Sequence, residues 1–477
     1  MNALKTKLLT LLVIASGIVT AQKDGYNIKI KLRGLQKDSA CYLANYYGDK
    51  QYIQDTAKAN ANGEVVFVGD KKLPGGIYLM VFPKKKYFDF LIDQEQNFSM
   101  ETDTSDIVKF MKVKGSNDNK LFYEYLAFIG EKQKEIEPLR KQLSAVKSSK
   151  DSTKVLQEKM SKIDKEVKEY KISFAKKNPK SLQAAIFNGM QDPEVPEAPK
   201  LPNGRIDSLF AFHYTRAHFF DSYNFADERL LRTPILYNKM KNYLDNLTYQ
   251  IPDSINKAAD FIVEKAKANK EVFKYVVYYI TYTYETSQIM GFDAVFVHMA
   301  EQYYLTKQAF WIDSTQLAKI TDRAKTLKPL LLGKYTPNLT LKDSTMKDVT
   351  LYDVKAKFTI LYFWDYDCGH CKKSTPKLQE LYLKMKSRGV EVYAVGTEPN
   401  VEPWKKFIRE NKLTFINVYD PYYSTGFKKT YDIYSTPVVY LLDENKKILA
   451  KRLDVEQLDG FLERLLNQKA IDKSGQK

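Results

Sequence analysis

The stretch from Phe358 to Val395 constrains the fold more than any other part of the chain. Phe358 to Trp364 is a nearly unbroken apolar run, the length and composition of a strand buried on both faces. Cys368-Gly369-His370-Cys371 follows at once, and an amphipathic stretch carrying Leu378, Leu381 and Leu383 then leads to Gly389. A second apolar run, Val390 to Val395, comes next. Strand, turn, helix, strand is the order of a right-handed parallel crossover unit. The sequence therefore predicts a C-terminal α/β domain over 333–470, with a pair of thiols where the first strand turns into its helix.

A dithiol needs one exposed sulfur that ionises near neutral pH and one shielded sulfur close enough to close the ring. Cys368 at the mouth of a helix meets unpaired backbone N–H groups and the positive end of the dipole, both of which favour thiolate. Cys371, one turn in, is then the resolving thiol, and His370 can add positive charge beside it. The Gly369-His370 pair leans toward the oxidising or isomerising end of a range of about 90 mV, or roughly 4 kcal/mol for two electrons. Further on, Ser435-Thr436-Pro437 precedes the strand-like Val438 to Leu442, where a trans proline is awkward. A cis Thr436-Pro437 bond is expected, turning the chain toward the Cys pair and offering backbone to a substrate strand; a strand-opening trans proline is the alternative. A turn at Asp443-Glu444-Asn445 and a helix from Val455 complete the domain.

Residues 333–470 resemble the thioredoxin-like disulfide oxidoreductases of the TlpA/ResA type. The resemblance is carried by Phe363-Trp364-Asp365-Tyr366-Asp367-Cys368-Gly369-His370-Cys371-Lys372-Lys373, with Pro376 and Pro437. It implies a central sheet flanked by helices, a cis proline at Pro437 and Cys368 as nucleophile, with Trp364, Gly369, His370 and Thr436 in support. It also implies no cofactor, protein thiols and disulfides as substrates, and a redox partner that resets the pair. Two departures stand out. Thioredoxin itself has a buried Asp six residues before the first Cys, where Tyr362 stands here, and the TlpA/ResA group commonly has a Glu three after the second Cys, where Ser374 stands. Without either carboxylate, the resolving proton is left to His370, Glu398 or water.

Upstream, a 477-residue chain with 44% apolar and 28% charged residues has room for roughly three folded domains. Tyr26, Ile28, Ile30 and Leu32 alternate with polar residues, and strand-like runs recur at Val65 to Val68, Ile77 to Phe82 and Phe88 to Ile92 between turn signals. These predict an all-β, antiparallel domain over 22–112, with Cys41 as a small buried residue. Helical spacing then takes over, in Leu121, Phe122, Tyr125, Leu126 and Ile129 and later in Ile163, Val167, Tyr170 and Phe174. Solvated helices are expected to join near Ser148-Ser149, and Pro193, Pro196, Pro199 and Pro202 to form a stiff connector within a helical domain over 115–330. His213, His218 and Asp221 invite a metal or acid/base reading, but no third ligand stands at a recognisable spacing, and a hydrogen-bonded helix junction is expected, as at Asp227-Glu228-Arg229. His298 reads as a core or interface histidine. This order of β and helical domains, with Asp227-Glu228-Arg229-Leu230-Leu231-Arg232-Thr233-Pro234, is similar to multi-domain envelope proteins of Bacteroidota whose extra domains have no established function.

The N-terminus indicates the compartment. Lys5 and Lys7 precede the apolar run Leu8 to Val19, and Val19-Thr20-Ala21 has the small-residue pattern of a secretory cleavage site. The expected leader is 1–21 and the expected location the periplasm or cell envelope, with no stable membrane span after cleavage; a retained anchor is the alternative. The formal charge of +17 comes from lysines spread among 58 acidic residues, without a compact basic and aromatic block, so no nucleic-acid partner is expected. A peroxidase of the peroxiredoxin class needs Thr or Ser where Asp365 stands, and structural zinc lacks two further ligands. The remaining rival is an envelope binding protein that uses the thioredoxin-like unit as a scaffold.

Overall fold

The computed structural model describes residues 25–145, 150–398 and 400–474, so the expected leader and the expected joint at Ser148-Ser149 lie outside the described residues. The chain forms two compact units that divide between Lys239 and Met240.

The first unit opens with eight strands: β1 (Tyr26–Arg33), β2 (Ala40–Tyr47), β3 (Lys50–Lys58), β4 (Glu64–Gly69), β5 (Gly76–Phe82), β6 (Lys86–Ile92), β7 (Asn97–Asp103) and β8 (Lys112–Lys114). They form two four-stranded sheets, ordered β4-β1-β7-β8 and β3-β2-β5-β6. The alternation in β1 turns Ile28, Ile30 and Leu32 inward onto Phe67, Tyr78 and Phe90, and Cys41 is buried in the same core. One pairing corrects the antiparallel expectation: β1 and β7 run parallel, with Ile28 opposite Phe98. Strand β7 follows β6 of the other sheet, so it reaches β1 by a crossover between sheets, and the hairpin constraint that imposes antiparallel pairing does not apply.

Helices α1 (Asn117–Ala145), α2 (Lys150–Lys177), α3 (Leu182–Gly189), α4 (Phe210–His218) and α5 (Ile235–Asp245) follow. The start of α1 closes an exposed edge of the sheet. The buried Asn119 amide accepts from Leu91 N–H at 2.7 Å and donates to Leu91 C=O at 2.8 Å, taking the place of a neighbouring strand. The Asp227-Glu228-Arg229 motif has a similar structural use. Arg229 grips Asp227 through Nε and Nη2 at 2.9 and 2.7 Å and reaches the buried Asp93 of the β region. Gly75 and Gly76 make room for it, since a Cβ at either position would collide with Arg229 or Arg232.

The second unit holds α6 (Pro252–Ala266), α7 (Lys270–Glu285), α8 (Asp293–Met299) and α9 (Ser314–Leu327), then an α/β fold. That fold comprises β9 (Thr340–Asp343), β10 (Asp348–Thr350), β11 (Phe358–Trp364), α10 (Gly369–Met385), β12 (Val390–Gly396), α11 (Val401–Glu410), β13 (Ile416–Tyr419), α12 (Phe427–Thr430), β14 (Val438–Asp443), β15 (Ile448–Lys451) and α13 (Val455–Ser474). The strand order is β10-β9-β13-β12-β11-β14-β15, and all seven residues of β11 are buried. β11 pairs with β12 in parallel and with β14 antiparallel. Leu383 corrects the expected helix face: it is 61% exposed, and the inward positions of α10 are Leu378, Leu381, Tyr382 and Met385, at spacings of three and four.

The helical stretch expected as one domain is thus shared between the two units. Its later helices pack onto the α/β fold through ionic ties: the buried Lys451 pairs with Asp293 of α8 and donates to Leu330 C=O at 2.7 Å. Among the described residues, no helix is long and apolar enough to cross a membrane.

Candidate dithiol site

Strand β11 carries the chain into the site and delivers Trp364 to its buried end, where the indole packs on Phe407 at 5.1 Å. The Asp365 carboxylate then accepts from Asp367 N–H at 2.8 Å, a local turn that seats Cys368 as the N-cap of α10. An N-cap side chain normally satisfies a free N–H of the first turn. Here a sulfur does so, accepting from Cys371 N–H at 3.4 Å. From the opposite side the Cys368 thiol donates to Thr436 C=O at 3.3 Å. The Thr436-Pro437 peptide is cis, as the sequence predicts. The site therefore joins two segments 68 residues apart.

The two sulfurs have opposite surroundings. Cys368 is half-buried and Cys371 fully buried, and both thiols are free. Partial burial pushes the Cys368 thiol up, but the backbone N–H and the thiol of Cys371, the Thr436 side chain and the backbone N–H of His370 together hold it below the ordinary cysteine value. Burial pushes Cys371 up to about 12, and the neighbouring Cys368 sulfur adds to that. One sulfur is prepared to be an anion and the other to keep its proton. His370 contributes to Cys368 through its backbone N–H, while the residue itself is exposed. Gly369 has open space where a Cβ would stand, so crowding does not require a glycine there.

Tyr362 and Ser374, which replace the carboxylates of thioredoxin and of the TlpA/ResA group, meet. The buried Tyr362 hydroxyl lies 3.1 Å from Ser374 Oγ and 2.9 Å from Thr375 Oγ1, and Ser374 donates to His370 C=O at 3.0 Å. A run of hydroxyls thus ties β11 to the helix turn that carries both cysteines. Thr375 escapes a reading of the sequence, although it follows Cys371 by four residues and so shares its helix face. Glu398, considered as a proton acceptor, is engaged by Lys428 at 3.3 Å. Two other histidines are engaged by carboxylates. His218 Nδ1 pairs with Asp221 at 2.7 Å, and His298 Nε2 meets Asp260 at 2.8 Å, where Tyr303 also donates at 2.7 Å. Among the described residues no group of three or more His, Cys, Asp or Glu side chains is placed to hold a metal.

Residues 332–451 match the model of the AhpC/TSA family, 26–122 a domain of unknown function (DUF4369) and 145–328 another (DUF5106). A thiol-disulfide oxidoreductase ResA of Bacillus cereus is 32% identical over 137 residues, which are 28% of this chain and 78% of that relative. The chain belongs to the ResA-type thiol-disulfide oxidoreductases. A second ResA, from Oceanobacillus iheyensis, is 33% identical over 141 residues, covering 28% of this chain and 71% of the relative. A solved domain of a possible thiol-disulfide isomerase from Cytophaga hutchinsonii is 51% identical, covering 30% of this chain and 98% of that one, with a TM-score of 0.28. This ResA-type enzyme differs from a single thioredoxin-like domain in carrying the β and helical segments ahead of the dithiol fold.

Proposed function

We propose that this oxidoreductase exchanges disulfides with protein thiols of the cell envelope through Cys368 and Cys371. The Cys368 thiolate attacks a substrate disulfide, forming a mixed disulfide and releasing one substrate thiolate. The substrate chain lies along Thr436 and Pro437. Cys371 then gives up its proton and attacks the Cys368 sulfur, releasing the second substrate thiolate and leaving a Cys368–Cys371 disulfide. A dithiol or disulfide partner resets the pair. The observation that carries this reading is the asymmetry of the sulfurs: a half-buried Cys368 held below the ordinary value by hydrogen-bond donors, beside a sealed Cys371 pushed up to about 12.

The sign of that asymmetry is testable by alkylation. A lowered value means that thiolate persists to lower pH, so iodoacetamide should modify Cys368 at a rate that rises with pH and levels off below about 8.5, the ordinary thiol midpoint. Cys371 should stay unmodified over the same range. A Cys368 midpoint at or above the free-thiol value would sink the reading.

Export to the envelope rests on Lys5, Lys7, the run Leu8 to Val19 and the Val19-Thr20-Ala21 pattern. Protein recovered from the envelope of a secreting host should begin at Gln22. Recovery with Met1 intact from the cytoplasm would refute export.

A further inference from the structure

Helix α9 comes from the segment matched to a domain of unknown function, yet one of its side chains enters the dithiol fold. Arg323 forms an ion pair with Asp432, whose side chain is 2% exposed. Arg452 donates to the other oxygen of the same carboxylate at 3.0 Å. A carboxylate this deeply buried is tolerated only where donors meet it, so the two guanidinium groups decide where Asp432 sits. Asp432 also adopts a left-handed backbone, φ +58°, a conformation aspartate takes more readily than most residues and one that turns the chain toward Pro437. Four residues link Asp432 to Pro437, and within them Thr436 C=O receives the Cys368 thiol.

Between these points stands Tyr434, 84% exposed. The guanidinium carbon of Arg323 lies 5.7 Å from the centre of its ring, within range of a cation–π contact. A large aromatic ring is therefore braced from the protein side and left open on the other, two residues before the carbonyl that contacts Cys368. Such a ring has apolar area still to bury.

We propose that Arg323 is a positioning residue that, through Asp432 and Tyr434, holds the approach to Thr436 in the form that receives a polypeptide substrate. The last helix of the accessory segment is then a specificity determinant for Cys368, favouring an extended chain with an apolar or aromatic side chain beside its disulfide. This rests on Cys368 being the attacking sulfur.

The test uses the full chain and two disulfides. 5,5′-Dithiobis(2-nitrobenzoate) reports Cys368 itself, and insulin, with dithiothreitol as reductant, reports polypeptide handling. In Arg323→Ala and in Tyr434→Ala the KM for insulin should rise about tenfold with kcat changed far less, as expected for loss of an aromatic anchor. The ratio of insulin kcat/KM to the small-disulfide rate should fall by the same factor. Arg323→Lys keeps a charge for Asp432 but loses the planar face toward Tyr434, so its KM should be intermediate. Tyr434 is exposed, so Tyr434→Ala keeps its fold whatever Arg323→Ala does. An unchanged insulin KM in both alanine variants would overturn the proposal, as would a parallel fall in both reactions. If instead the wild-type protein released no thionitrobenzoate dependent on Cys368, the underlying assignment of the nucleophile would fail.

Discussion

Cys368→Ser is expected to reduce insulin disulfide reduction by about three orders of magnitude or more, the scale seen when an enzyme loses its nucleophile. Cys371→Ser should behave differently: it should attack once and stop, leaving a substrate covalently joined to Cys368. The contrast follows from the division of labour between the sulfurs. Cys368 is the half-buried sulfur at the helix mouth, and its donors include the backbone N–H groups of Cys371 and His370. Those amides survive in Cys371→Ser, so the attacking sulfur keeps most of its stabilisation. What is lost is the second sulfur, without which the mixed disulfide has no internal exit.

Intact mass after incubation with substrate reads the result directly. Wild type should gain no mass and lose two hydrogens as the Cys368–Cys371 bond closes. Cys371→Ser should gain the mass of one substrate half, and Cys368→Ser should gain nothing, because Cys371 and Cys41 are both fully buried. Equal turnover by Cys368→Ser and wild type would remove the dithiol from the mechanism.

The parts of the site legible in the sequence are those specified over short distances. The buried strand Phe358–Trp364, the Cys pair at the turn, the cis Thr436-Pro437 bond and the helix start at Val455 each depend on neighbours within a few residues. Leu383 shows how such reading fails: an apolar residue in an amphipathic stretch reads as inward, although the true face repeats at three and four and runs through Tyr382 and Met385. Strand β3 is exposed along most of its length and has little apolar patterning to find. The ties that join the accessory helices to the dithiol fold are illegible for a different reason. Asp293, Arg323, Asp432 and Lys451 read as solvated charges, and only the tertiary fold brings opposite signs together below the surface. Tyr362 and Ser374 stand out in the sequence only as lost carboxylates. Their contact at 3.1 Å across 12 residues is a property of the β11–α10 packing.

That contact leads to the second large effect: Ser374→Glu should accelerate closure of the internal disulfide by about a hundredfold near neutral pH, the scale of a positioned general base. Cys371 must release a proton before it can attack, and burial, its largest perturbation, persists when Cys368 is tied up in a mixed disulfide. The groups closest at hand cannot take that proton. Burial pushes the Tyr362 hydroxyl up, so it keeps its proton, and the Ser374 hydroxyl is neutral and too weak a base. Wild-type closure is therefore expected to leave that proton to water, hydroxide or the exposed His370. A carboxylate at position 374 would stand one helical turn beyond Cys371, on the same face. Burial there would raise its pKa toward neutrality, which makes it a better base and also costs stability. Reaction with 5,5′-dithiobis(2-nitrobenzoate) separates the steps, since Cys368 releases the first thionitrobenzoate and Cys371 the second. In wild type the second release should climb about tenfold per pH unit between about pH 6 and 9, because the Cys371 thiolate fraction grows throughout that range. In Ser374→Glu it should start higher and level off once the carboxylate is ionised. Tyr362→Phe, which strips the buried Thr375 hydroxyl of a partner, should lower stability by about 1–3 kcal/mol without creating a plateau. Identical second phases in wild type and Ser374→Glu would mean that the resolving proton already has an efficient route out, and the hydroxyl chain beneath Cys371 would then be structural alone.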